Sequence, residues 1–124
     1  MKDVFGIEVF NGTPHPVTFR HKGVDIIVPP DEVISARAEE EYVTPLSQFL
    51  GDFGVEFVRP TFLPTPEGQE IINRAHENGA DLIVGSIIAA QAYPGQVFAM
   101  TPYPGYERVP PAEKRVSACK FTIY

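Results

Sequence analysis

A chain of 124 residues with 44% hydrophobic and 21% charged side chains is one domain by length and builds a core without disulfide or metal. Its net charge of −6 argues against non-specific binding to a phosphate backbone. The single cysteine, Cys119, excludes an intramolecular disulfide and fits a reducing, cytoplasmic setting.

In chain order, residues 4–10 (VFGIEVF) read as a first strand, closed by the stiff turn Asn11-Gly12-Thr13-Pro14-His15-Pro16. Val17-Thr18-Phe19-Arg20 and Val24–Val28 read as a hairpin about His21-Lys22-Gly23, with Gly23 supplying the left-handed residue. Pro29-Pro30 stops that strand. Val33–Ala38 then alternates, which predicts a meander over the first third. The run Glu39-Glu40-Glu41 reads as a solvated edge. Thr44-Pro45 could cap one helical turn through Leu50, with Gly51 ending it, and Val55–Val58 is expected to be a strand closed by Pro60.

The best-marked helix spans 66–78. Thr65 is its N-cap, Pro66 its first residue, and Gly79 follows Asn78 as the stop. Asp81–Val84 is a continuous apolar strand broken by Gly85-Ser86. Ile87–Ala92 favours helix, and Val97–Met100 is the next strand. The loop TPYPGYERVPP follows, and Lys120–Tyr124 is expected to close the fold, with Cys119 as a small buried hydrophobe at its start. Thirteen prolines, about twice the usual ~5% share, lie between the apolar runs and punctuate short elements.

Strand, helix, strand, helix, strand order from about residue 54 to residue 100 predicts parallel strands with right-handed crossovers. The expected architecture is one α/β (α+β) domain over 1–124. It has a mixed sheet with a parallel βαβ centre and an antiparallel N-terminal hairpin and meander. Residues 82–106 carry no charged side chain and mark its centre, so Ile83, Val84, Ile88, Val97 and Phe98 are expected to be nearly fully buried. The apolar run from Leu82 is too short to span a membrane, and Met1-Lys2-Asp3 opens into an alternating segment unlike a signal peptide.

Four stretches stand out together: Asn11-Gly12-Thr13-Pro14-His15-Pro16-Val17, Pro29-Pro30, Leu63-Pro64-Thr65-Pro66 and Ile83–Ala90. They resemble, in turn, the N-x-T-P-H-P-V opening, the P-P-S-G turn, the L-P-x-P segment and the I-V-S-x-x-V-A motif of a family of small uncharacterised proteins of actinobacteria, archaea and their phages or plasmids. The chain departs from the pattern by inserting Gly85 before Ser86 and by carrying a helix over 66–78 where many bacterial members have a short link. The resemblance implies a viral, plasmid or archaeal origin, hence a host cytoplasm for a viral protein, and no catalytic residues. Few Asn, Gln and Cys residues agree with a thermophile.

Dinucleotide, phosphate-loop, nucleophile-elbow and zinc-protease motifs are absent. His15, His21 and His76 have no ligand neighbours at metal-binding spacing, so neither a metal nor a cofactor is expected. Two features remain. Gly85-Ser86 lies at a strand-to-helix junction, where ligands bind in open α/β sheets, although a serine there is also an ordinary helix cap. Thr101, Tyr103, Tyr106 and Arg108 lie on a stiff loop after the next strand, where they could bind an anion, a flat ring or a protein, or could simply pack. His15, held between prolines, is a further candidate.

Two functions compete. One is a non-enzymatic accessory or protein-interaction protein. The other is a domain or enzyme for a small anionic molecule at Gly85, Ser86, Thr101, Tyr103, Tyr106, Arg108 and His15. Expected partners are a protein or a second copy, with a homodimer formed through an edge strand of the meander or through Phe121–Tyr124; neither nucleic acid nor membrane is expected.

Overall fold

The computed structural model describes residues 1–43 and 54–124. Within the described residues, nine strands form two sheets. The main sheet takes β1 (Lys2–Val4), β2 (Ile7–Asn11), β3 (Val17–His21), β4 (Val24–Val28), β7 (Leu82–Gly85), β8 (Phe98–Pro102) and β9 (Val116–Thr122), in the order β1-β2-β7-β8-β9-β3-β4. The second is an antiparallel pair, β5 (Ala36–Tyr42) with β6 (Val58–Pro64). Among the described residues, two helices, α1 (Pro66–Glu77) and α2 (Ile87–Ala92), complete the α+β fold, with a 3₁₀ turn at Pro111–Glu113.

The parallel centre is present: β2 pairs with β7 and β7 with β8, all parallel. The strand before α1 is not part of it, because β6 pairs with β5 outside the main sheet. The expected triple is therefore built on β2. Beyond β8 the sheet turns antiparallel to β9, which in turn runs parallel to β3.

Local chemistry explains the elements. Thr65 Oγ1 accepts from the Gly68 amide at 3.0 Å and Pro66 opens α1. At its other end the Gly79 amide donates to His76 and that of Ala80 to Ala75, with Gly79 at φ +97°. The β3–β4 turn places Lys22 and Gly23 at φ +49° and +78°, the mirror-type turn whose twist suits a hairpin.

Several expectations are corrected. The first strand is two: Phe5 and Gly6 turn the chain at φ +52° and +89°, and β1 folds back on β2. The first third is not a continuous meander: β1–β2 and β3–β4 are hairpins at opposite ends of the main sheet, and β5 leaves for its own sheet and runs through the glutamates, all exposed. The strand expected at Val55–Val58 begins at Val58 and passes through Pro60, which a two-stranded sheet tolerates because the missing amide can face solvent. The helical turn expected at Thr44-Pro45 through Gly51 lies outside the described residues.

The closing strand starts at Val116, earlier than expected, and lies between β8 and β3: it pairs with β3 at Val116 and Ser117, while Phe121 and Thr122 pair with β8. Cys119 is exposed, with its sulfur 3.4 Å from His21 Nδ1, not a buried hydrophobe. Ile88 is exposed and Phe98 only half-buried; on a helix as short as α2 the inward positions fall to Ala89, Ala90 and Ala92.

Each face of the main sheet has its own core. One gathers Phe10, Ile34, Ile71, Ile72, Ala75, Ile83, Ala89, Ala90, Tyr93 and Val97 under the helices and the small sheet. Here the Tyr93 hydroxyl accepts from the Thr65 amide and donates to the Ser35 carbonyl, each at 2.9 Å, tying the start of α1 to the segment before β5. The other gathers Val4, Val9, Val17, Phe19, Val28 and Val84, with Phe121 and Val116 packed against them, inside the curl of the sheet. The curl brings Phe5 of the β1–β2 turn edge-on to His21, with centroids 5.5 Å apart, and pairs the Met1 amino group with Asp31. Among the described residues, no helix is long and apolar enough to cross a membrane.

Candidate functional site

Strands β2, β7 and β8 end at Asn11, Gly85 and Pro102, all on one edge of the sheet, since they run parallel. The antiparallel neighbours β3 and β9 begin at that edge, so the segments leading into Val17 and Val116 arrive there as well. Between these segments lies an open cleft of about 940 Å³.

Its base is Gly85 and Ala99, register partners on β7 and β8. One wall is Ser86 and Ile87 at the start of α2; the other is Thr18 and Ile27 of the β3–β4 hairpin. The loop after β2 contributes His15, Pro16 and Val17. The connection from β8 to β9 contributes Tyr106, Glu107, Pro111, Ala112, Lys114 and Arg115. Apolar side chains dominate, and Ile27 and Ile87 are 54% and 60% exposed.

The loop carrying His15 is fixed from beneath. Asn11 is fully buried, and its Nδ2 donates to the carbonyls of His15 at 2.8 Å and Val28 at 3.1 Å. Its Oδ1 accepts from the Thr13 amide at 3.0 Å and the Thr13 hydroxyl at 2.6 Å. Every hydrogen-bonding position of the amide group is filled, which is how a polar side chain is kept inside a core. The Asn-Gly-Thr-Pro-His-Pro turn is thus a rigid wall whose asparagine joins β2 to the end of β4.

Of the residues expected at the site, Gly85, Ser86, Tyr106 and His15 converge on the cleft. Ser86 accepts from the Ala89 amide at 3.1 Å and is a helix cap, which leaves its O–H able to donate. Gly85 is required by packing, because a Cβ there would lie 2.7 Å from Val97 Cγ1. Thr101, Tyr103 and Arg108 do not line the cleft. The Thr101 hydroxyl donates to the Lys120 carbonyl at 2.8 Å, and Tyr103 begins a turn closed by the Tyr106 amide on its carbonyl. Arg108 is exposed and forms no ion pair among the described residues.

The cations that line the cleft are Lys114 and Arg115, and Arg20 is joined to Arg115 from outside it through Asp25. Arg115 Nε donates to Asp25 Oδ2 at 2.9 Å, and Arg20 Nη1 to Asp25 Oδ1 at 3.1 Å. The Arg20 guanidinium stands over Tyr103 and Tyr106, 5.8 and 5.6 Å from the ring centroids. Lys114 lines the cleft beside Arg115 and has no ion pair among the described residues. The two tyrosine rings of the loop thus meet the guanidinium of Arg20, from β3. Arg20 and Asp25 face each other across β3 and β4, a register readable from the hairpin. Arg115 joins them only through the β9–β3 pairing. Among the described residues, no group of three or more His, Cys, Asp or Glu side chains could hold a metal.

Comparison of the chain with family models, with curated proteins and with solved structures gave no match.

Proposed function

We propose that the protein is a non-enzymatic binding protein, an accessory or interaction protein, whose working surface is the cleft at the carboxyl edge of β7 and β8. The observation that carries this reading is the cleft itself. It falls within the ~300–1,000 Å³ of typical ligand sites, has mostly apolar walls, and keeps two isoleucines exposed at its sides. Prolines 16, 102 and 111 stiffen its rim, so binding would order little chain.

A neutral solvatochromic dye tests this reading. The expected result is blue-shifted emission with the native protein, lost in Ile27→Asp and in Ile87→Asp while both variants melt like the parent. Undiminished binding in both variants contradicts it. The resemblance of the opening motifs adds a viral, plasmid or archaeal origin to the proposal. Self-association belongs to it as well, through β4, an outer strand of the sheet with Val24 and Ile27 exposed. Sedimentation as a strict monomer at micromolar and higher concentrations rejects that part.

A further inference from the structure

We propose that the occupant of this cleft is a small apolar molecule bearing one carboxylate, its chain or ring against Ile27, Ile87 and Met100 and its anionic end at Lys114 and Arg115. This rests on the cleft being the working surface, and it specifies the chemistry of what enters.

The size and lining set the first requirement. A free inorganic anion would fill a small part of about 940 Å³ and leave the isoleucine walls in water. An apolar body is what these walls reward, at roughly 25 cal/mol for each Å² removed from solvent.

The charges set the second requirement. Arg20, Arg115 and Lys114 stand against two carboxylates, Asp25 and Glu107. Asp25 is shared by both guanidiniums, and Glu107 accepts from the Gly105 amide at 3.0 Å. The local surplus is one positive charge, on a chain whose net charge is −6. One surplus charge matches a monoanion. A di- or triphosphate would need several cations or a cradle of amides, as phosphate sites usually provide.

The arginine is also preorganised. Its Nε is held by Asp25, its Nη1 donates to the Lys114 carbonyl at 2.9 Å, and its own carbonyl accepts from the Tyr103 amide. That leaves Nη2 without a partner among the described residues, on a guanidinium whose Nε and Nη1 are both hydrogen-bonded. Lys114 next to it supplies a mobile ammonium. A fixed guanidinium and a mobile ammonium at one end of an apolar cleft suit a carboxylate, which accepts from both through separate oxygens.

Titration calorimetry with matched ligands tests this. Decanoate, decanol and decylammonium, each below its micelle concentration, share one tail; naphthoate and naphthol share one ring system. The expected result is that at least one carboxylate binds about tenfold or more tighter than its matched alcohol, that Lys114→Met and Arg115→Met each lower carboxylate affinity by about tenfold, and that Lys114→Arg restores it. Alcohol affinity should be unchanged in all three variants, which also shows that the cleft is intact. Equal binding of carboxylate and alcohol, or tighter binding of decylammonium, overturns the carboxylate inference and leaves the cleft reading standing. If no ligand of either series binds and the neutral dye also fails, the cleft reading itself falls. If the dye binds and neither carboxylate does, only the carboxylate inference falls.

Discussion

Replacing Asn11 by aspartate changes two hydrogens and one heavy atom, yet it should be among the most disruptive substitutions in the chain. Asn11 is fully buried, and its Nδ2 faces two carbonyl oxygens, those of His15 at 2.8 Å and Val28 at 3.1 Å. An introduced carboxyl that stays protonated can donate to one of them, so it loses one hydrogen bond, about 1–1.5 kcal/mol. Once ionised it donates to neither, and a buried charge faces two carbonyl oxygens. The two bonds from Thr13 to Oδ1 offset part of that cost. The net is roughly 3–5 kcal/mol at neutral pH, a large part of the ~5–15 kcal/mol that holds a small domain folded. The sign with pH follows. The folded state raises the pKa of the introduced carboxyl above its unfolded value of about 3.9, so the native protein binds the extra proton between the two values. The stability of the variant relative to the parent therefore falls as pH rises through that window and flattens above the folded value. Urea unfolding of both proteins at pH 4 and pH 7 reads the difference. A gap that does not widen with pH, or no gap at pH 7, would refute the assignment of Asn11 as the buried donor that fixes the cleft wall.

Three further outcomes follow from packing and exposure. Ile83→Ala removes a side chain with no exposure in the helix-side core and should lower stability by about 2–5 kcal/mol in denaturant unfolding; an unchanged midpoint contradicts its place there. Gly68→Ala would put a methyl 1.9 Å from the Tyr93 hydroxyl and 2.8 Å from the Ser35 carbonyl, so thermal melting should show a loss of about 1–3 kcal/mol, although alanine is the better helix former. Cys119 should react with a chromogenic disulfide reagent at one thiol per chain without denaturant, since it is exposed beside His21; labelling that requires unfolding contradicts that exposure.

What was legible in the sequence was local. The cap at Thr65, the proline after it, the stop at Gly79 and the cap at Ser86 act within a few residues, and each is found where its chemistry predicts. The β3–β4 hairpin was legible for the same reason. The partners of β5 and β9 were not. The glutamate run does not look like a strand, because strand signals come from alternation toward a core, and most of β5 and half of β6 face solvent. β9 carries Ser117 and Lys120 and reads as a loop or an edge, yet it pairs on both sides, since only part of it reaches the inner core. The site divides the same way. Gly85, Ser86 and Tyr106 could be placed by the rule that parallel strands send their ends to one edge, a rule that also pointed to Thr101, Tyr103 and Arg108, which do not line the cleft; His15 was marked only by its flanking prolines. The Arg20–Asp25–Arg115 cluster could not, because it joins side chains from the hairpin to one 90 positions further along, through a parallel pairing that no local pattern announces.

The most direct test of the central claim, that the cleft at the carboxyl edge is the working surface, is amide chemical-shift mapping of the labelled protein during titration with decanoate. The account predicts shifts that saturate together at His15, Ile27, Ser86, Ile87, Tyr106 and the 114–116 segment, with β5 and β6 silent. Shifts centred on the β5–β6 pair, or spread without saturation over the exposed apolar residues of the whole surface, would contradict it.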